Sequence, residues 1–335
     1  MTVSAITLRA GRDDDTAAYI RLIGDAWGEF PGVVFDVDAE LPELRSLATY
    51  FSEKGGALWL AEGPDGPLGM VATRPLREDG AWEIGRMYVA AEARGTGLAH
   101  RLLDTAEAHA RAAGAERMVL WTDTRFNAAH SFYEKRGYVR QGAIRILDDL
   151  SKSLEFRYAK PAQGLVVEAL DAAAAASAER RFSEILIACV AAGASVTYLA
   201  PLSVEKSRAH WKRISSEVAQ GHRVLLGAWL EGALVGTVQL DLATPENQQH
   251  RAELVKLLVD PAFRNRGVGE ALLRRAEQTA LRLGRRLLTL DTRADDEGER
   301  LYRRLGWTEG GCIPDFAQDA SGALRATRFF FKRPG

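Results

Sequence analysis

At 335 residues the chain is long for one domain and comfortable for two, at roughly 150 residues per domain. Lys+Arg 44 against Asp+Glu 45 leaves a formal charge of -1, which excludes a global basic field for nucleic acid or anionic membrane, and 47% hydrophobic with 27% charged residues is ordinary for a globular mixed α/β chain. No apolar run approaches the roughly 20 residues of a membrane span, and the N-terminus lacks a basic start followed by a hydrophobic core, so a soluble cytoplasmic protein is expected.

Ala5 to Ala10 alternates as an opening strand, and Asp13 to Asp15 offer capping carboxylates for a helix over Thr16 to Trp27, where Ala17, Ile20, Ile23 and Ala26 recur at helical spacing. A loop rich in aromatics and acids, Gly28 to Asp38, leads to a second helix over Leu41 to Glu53 with Pro42 at its start. Gly63-Pro64-Asp65-Gly66 between Ala57 to Ala61 and Leu68 to Thr73 spells a hairpin. Trp82 to Val89 follows as a strand, then a glycine turn at Arg94 and a helix to Ala113. Arg117 to Trp121 is a short strand, Asn127 to Arg136 a helix capped by Gly137, and Tyr138 to Arg145 with Leu154 to Ala159 complete a mixed sheet.

Lys160-Pro161-Ala162-Gln163-Gly164 breaks the pattern as a linker, dividing the chain into domains 1–160 and 164–335. The same order then repeats. Leu165 to Ala169 is a strand, Asp171 caps a long Ala-rich helix through Val190, and Val204 to Ala219 is a second helix. Val224 to Leu230 and Ala233 to Leu242 form a hairpin, and Arg251 to Val259 runs as a strand into a glycine turn and a helix to Leu283. Leu287 to Leu290, a helix over Ala294 to Leu305, Trp307 to Ile313 and Ala323 to Lys332 finish it.

The glycine turn is the informative feature, because it occurs twice: Arg94-Gly95-Thr96-Gly97-Leu98-Ala99 and Arg264-Asn265-Arg266-Gly267-Val268-Gly269. A helix start presents unpaired N–H groups and the positive end of the helix dipole, and glycine lets the backbone approach a phosphate. Arginine adds a cationic donor, so a pyrophosphate-bearing ligand is expected. A P-loop would end in Gly-Lys-Ser/Thr, and a dinucleotide turn would carry a third glycine; neither copy does either.

Arg-x-x-Gly-x-Gly/Ala after a strand resembles the acetyl-CoA pyrophosphate loop of the GNAT superfamily of N-acyltransferases, and the element order matches in both halves. The resemblance implies two tandem GNAT folds of α/β (α+β) class, each a mixed, mostly antiparallel sheet flanked by helices. It implies acetyl-CoA as co-substrate, held by Arg94 to Ala99 and Arg264 to Gly269 and by the backbone of Met87, Tyr88 and Val89 and of Leu257, Leu258 and Val259. Asn127 matches the family's CoA-contacting asparagine; the corresponding Asp296 replaces an amide donor with a negative charge. Gly193 to Val196, Pro201 to Ser203, His250 to Leu257 and Ile313 to Ala317 make the second half similar to tabtoxin-resistance-type acetyltransferases, which implies a small, amino-acid-like amine as acceptor. The tandem arrangement is also similar to mycothiol synthase, whose halves are not functionally equal.

Glu83 lies eleven residues before Arg94, and Glu253 eleven before Arg264, so an acid stands on the same face of the same strand in each half. In the resembled family such a carboxylate takes the amine proton and a tyrosine returns one to sulfur. Phe132 to Tyr138 resembles the family's FYEKxGF signature and Leu301 to Trp307 does so more loosely, making Tyr133 and Tyr302 the candidate acids beside the bases Glu83 and Glu253. Asp123-Thr124 and Asp291-Thr292 end the fifth strand of each half, to touch acceptor or, more simply, to cap the next helix. Cys189 and Cys312 lack CxxC or Cys/His spacing and read as small core residues, and the six histidines form no repeated pair, so no metal site is expected. The leading expectation is acetyl transfer to a primary amine of a small molecule by direct attack, in both halves. The alternatives are one catalytic half beside a supporting one, and a CoA-responsive binding module without turnover.

Overall fold

The computed structural model describes residues 6–76, 80–319 and 321–335; Ala5 of the expected first strand lies outside them. The chain divides into two compact units, Met1–Phe132 with Arg140–Gln163, and Tyr133–Val139 with Gly164–Gly335.

The first unit runs β1 (Thr7–Ala10), α1 (Thr16–Gly28), α2 (Val37–Glu40), α3 (Leu47–Glu53), β2 (Ala57–Gly63), β3 (Gly66–Pro75), β4 (Ala81–Val89), α4 (Leu98–Ala112), β5 (Arg117–Asp123), α5 (Asn127–Lys135), β6 (Val139–Arg140), β7 (Arg145–Ile146) and β8 (Leu154–Pro161). Its sheet is ordered β1-β2-β3-β4-β5-β8-β6, with β7 on β8. The second continues β9 (Leu165–Leu170), α6 (Ala172–Ser177), α7 (Glu179–Ala191), α8 (Val204–Ala219), β10 (Arg223–Leu230), β11 (Ala233–Asp241), β12 (Arg251–Val259), α9 (Val268–Arg282), β13 (Leu287–Arg293), α10 (Glu297–Arg304), β14 (Thr308–Gln318) and β15 (Leu324–Lys332). Its sheet is ordered β14-β15-β13-β12-β11-β10-β9. Each sheet contains a parallel pair, β4 with β5 and β12 with β13.

Several elements differ from expectation for local reasons. The helix expected over Leu41 to Glu53 is a 3-10 turn, Pro42–Ser46, followed by α3. Asp13, expected to cap α1, instead accepts from the backbone N–H groups of Ala48 and Thr49 at 2.9 and 3.1 Å and restarts the helix there. The Ala-rich helix is capped by Asp171 as expected, but breaks at Ala178 into α6 and α7, where the Ser177 hydroxyl donates back to the Ala174 carbonyl at 2.9 Å. The last helix starts at Glu297, because Asp296 accepts from the Glu299 N–H at 2.8 Å. The strand expected from Tyr138 to Arg145 is reduced to β6 and β7, while β8 runs into the expected linker. Cys189 is buried, but Cys312 is exposed on β14 rather than in the core.

Two features of the register position the site. Parallel pairing of β4 with β5 ends at Glu83↔Val119, and that of β12 with β13 at Glu253↔Thr289, so each strand pair parts just beyond its glutamate. On its other edge, β12 bulges against β11: Lys256 and Leu257 face the single residue Val238. The first unit repeats this with Arg86 and Met87 facing Val71, and both Arg86 and Lys256 carry positive φ, 50° and 54°. Beyond the strand, Gly97 (φ 88°) and Gly267 (φ 79°) turn the chain into α4 and α9, a conformation that glycine adopts without steric cost. The helices are then fixed by equivalent apolar faces. Leu98, Leu102, Leu103, Ala106 and Ala110 are buried in one, and Val268, Leu272, Leu273, Ala276 and Ala280 in the other. Each buried leucine contributes about 1.5–3 kcal/mol, which anchors the helix start where a ligand's phosphates would meet it.

Candidate active site

In the second unit the parted strands open into a cavity of about 900 Å³. Its walls are the β12 run from Leu254 to Val259, the glycine turn with Arg264, Asn265 and Gly267 to Glu270, the β13 end from Asp291 to Arg293, and Tyr302 of α10. The sequence-predicted backbone segment, phosphate turn and tyrosine thus face one volume. Arg266 does not line it; its guanidinium lies over the Phe263 ring, 5.5 Å from the centroid. Among the described residues the Arg264 guanidinium comes no closer than 3.7 Å to a carboxylate, that of exposed Glu297, and it also meets the Cys189 thiol. Asp296, in the asparagine's place, lines the cavity with its carboxylate committed to capping α10.

Tyr302 is 6% exposed, with its ring against Trp307 and Phe330. Its hydroxyl has no hydrogen-bond partner among the described residues. Burial, reinforced by the charges of Asp296 and Asp291, pushes the phenol well above its ordinary range, so it stays protonated.

Glu253 and Glu83 occupy equivalent strand positions but opposite electrostatic settings. Glu83 is directly across from Arg74, whose Nε and Nη2 donate to its carboxylate at 2.7 and 2.6 Å. Glu253 is directly across from Asp241. No hydrogen bond or ion pair to the Glu253 carboxylate occurs among the described residues. Burial raises its pKa, and Asp291 and Asp241 raise it further against the pull of Arg251 and Arg223. Glu253 is not among the residues that line the cavity, but its charge interacts with that of Asp291, which does line it.

Several other polar groups of the first unit are also internally paired. Arg94 makes a two-pronged pair with Glu29 at 2.6 and 2.8 Å. Asp123, expected to cap α5, instead accepts from the Arg125 guanidinium at 2.5 and 2.8 Å. Arg86 pairs with Glu43, and the Tyr88 hydroxyl accepts from the Trp27 indole at 3.0 Å. Asn127 is exposed at the start of α5. Tyr133, in the segment Tyr133–Val139 that groups with the second unit, is buried with its ring against Tyr138.

Asp241 and the bulge were not legible in the sequence. Asp241 acts through a cross-strand register that the bulge resets, and the second half has no glycine at the bulge to mark it. His210 is buried, with its Nδ1 at 3.1 Å from the Tyr198 hydroxyl, and burial lowers its pKa to about 4, which keeps it neutral. Among the described residues no group of three or more His, Cys, Asp or Glu side chains could hold a metal ion, and no helix is long and apolar enough to cross a membrane.

Two copies of a bulged strand, glycine turn and helix, each beside a parted parallel strand, define a tandem α/β fold built around its glycine turns. A model of the acetyltransferase (GNAT) family matches residues 20–138 and again 193–307, more than half of the chain, and the chain belongs to that family. It is 37% identical over 83 residues to an uncharacterized N-acetyltransferase of Methanocaldococcus jannaschii, covering 24% of this chain and 37% of that protein. It is 30% identical over 143 residues to the mycothiol acetyltransferase of Geodermatophilus obscurus, covering 41% of this chain and 45% of that one. These matches span less than half the length of either curated relative. An N-acetyltransferase from Staphylococcus aureus Mu50 superposes with a TM-score of 0.44 at 15% identity, over 52% of this chain and 100% of that chain.

Proposed function

We propose that the chain transfers an acetyl group from acetyl-CoA to the primary amine of a small molecule, and that domain 164–335 carries the reaction while domain 1–160 supports it. The observation that carries this reading is the reversal of charge opposite the paired glutamates: Arg74 faces Glu83, but Asp241 faces Glu253. The Arg74 guanidinium occupies the Glu83 carboxylate, whereas the Glu253 carboxylate has no partner among the described residues, and burial and like charge favour its taking up a proton.

The cavity fits acetyl-CoA by its donors. Gly267 opens a helix start with no side chain in the way, Arg264 and Asn265 flank it, and the bulge leaves the backbone at Lys256 and Leu257 outside regular pairing with β11. Acetyl-CoA supplies a thioester carbonyl for attack by the amine. Glu253 takes the amine proton through intervening water, since it is not among the residues lining the cavity. Asp291 helps to hold the incoming ammonium, and Tyr302 returns a proton to sulfur. Tyr302 lines the cavity as a protonated phenol whose hydroxyl has no partner among the described residues, so that O–H is free to meet the developing thiolate.

Free-thiol release from acetyl-CoA across a panel of primary amines tests the reading. Acceleration by at least one amine is expected. Binding of acetyl-CoA with no acceleration by any amine would instead favour the non-catalytic CoA-binding module.

A further inference from the structure

Lys256 has no part in the reaction as derived, yet it is the sole primary amine among the described residues lining the cavity. It sits on the β12 bulge, in the strand that would hold the thioester, with a backbone φ of 54° that a lysine rarely adopts. Its Nζ donates to the Thr197 hydroxyl at 2.7 Å, and Thr197 lines the same cavity. No carboxylate pairs with it within ion-pair distance among the described residues. Burial favours its neutral form; Asp291 opposes this, Arg223 and Arg213 add to it, and Glu253 opposes it more weakly. A side-chain amine that senses both Asp291 and Glu253 from inside the cavity has the setting that an acceptor amine would meet.

We propose that Lys256 is an internal acceptor, acetylated on Nζ from acetyl-CoA bound in the same cavity when no amine substrate is present. The proposal rests on the acyl-transfer reading of the second half. The nitrogen lone pair forms the C–N bond to the acetyl carbon and the C–S bond breaks, its electron pair leaving on sulfur. The nitrogen proton passes to Glu253, and Tyr302 supplies a proton to the thiolate. The product is a neutral amide that has lost the ammonium charge and adds an acetyl group's bulk to the acceptor space. Preincubation with acetyl-CoA alone should therefore inactivate the enzyme slowly, and an amine acceptor should protect it.

The full chain is incubated with acetyl-CoA alone and followed by intact-mass spectrometry, peptide mapping and thiol release. The expected result is one acetyl group on Lys256, appearing with one equivalent of thiol, absent in Lys256→Arg and slowed at least about tenfold in Glu253→Gln. The proposal is overturned if a chain that turns over an amine leaves Lys256 unmodified. It is equally overturned if Lys256 is acetylated no faster than exposed Lys152 and Lys212, which marks chemical acetylation only. A chain that binds acetyl-CoA, stays unmodified and shows no thiol release with any amine of the panel overturns the acyl-transfer reading itself, and the proposal with it.

Discussion

Glu253→Gln separates a catalytic carboxylate from a structural one, because the two roles move activity and stability in opposite directions. Removing a general base costs about 100- to 10,000-fold. Glu253 is not among the residues lining the cavity and acts through water, so the lower half of that range is expected, about 100- to 1,000-fold in kcat/KM, or about 3–4 kcal/mol of transition-state stabilisation. Burial and the Asp291 and Asp241 charges raise its pKa. The wild-type rate should therefore rise with pH through an inflection above the ordinary carboxylate range, and the variant should lose that inflection. A carboxyl whose folded pKa exceeds its unfolded value binds its proton more tightly when folded, so its ionisation destabilises the fold as pH rises through that interval. Glutamine removes the penalty. The variant should melt higher than wild type at neutral pH and match it below about pH 4, where the unfolded carboxyl is also protonated. Stopped-flow thiol release across pH and thermal melts of the same preparations give both readings. A variant that keeps its rate within about threefold, or keeps the acid limb, would refute the assignment of Glu253 as base.

Other substitutions probe separate parts. Tyr302→Phe removes a hydroxyl with no partner among the described residues, so kcat should fall at least about tenfold with a melting temperature nearly unchanged; unaltered kcat would leave Tyr302 a packing residue. Gly267→Ala meets nothing closer than 3.8 Å but must hold φ at 79°, which costs about 1–2 kcal/mol; a lower melting temperature and a raised KM for acetyl-CoA are expected. In the first unit, Lys160 and Glu107 are 3% and 1% exposed and pair at 2.8 Å. Glu107→Ala removes a carboxylate partner of the buried ammonium and should cost up to about 3–5 kcal/mol by denaturant unfolding, without a change in the pH profile of the surviving enzyme.

The repeat, the strand–turn–helix order and the cavity-facing turn were legible because glycine spacing and hydrophobic periodicity are local signals. Glu83 and Glu253 were also visible, at the same offset from their turn arginines, and so looked equal. Their difference depends on which residue stands across the strand, and the unseen bulges at Arg86–Met87 and Lys256–Leu257 set that register. The pairing of Arg94 with Glu29 was hidden for a related reason: it joins residues 65 positions apart through a loop with no periodicity to place it. The helix breaks at Ser46 and Ala178 escaped because propensity favours continuation, and tertiary hydrogen bonds accepted by Asp13 or back-bonding by Ser177 decide otherwise.

The most direct measurement compares thiol release from acetyl-CoA, with an accelerating amine, in two double variants. Glu253→Gln with Tyr302→Phe disables the second half, and Glu83→Gln with Tyr133→Phe disables the first. Turnover should collapse in the first variant and persist in the second. Persistence in the first variant, or equal loss in both, would contradict a reaction carried by the second half.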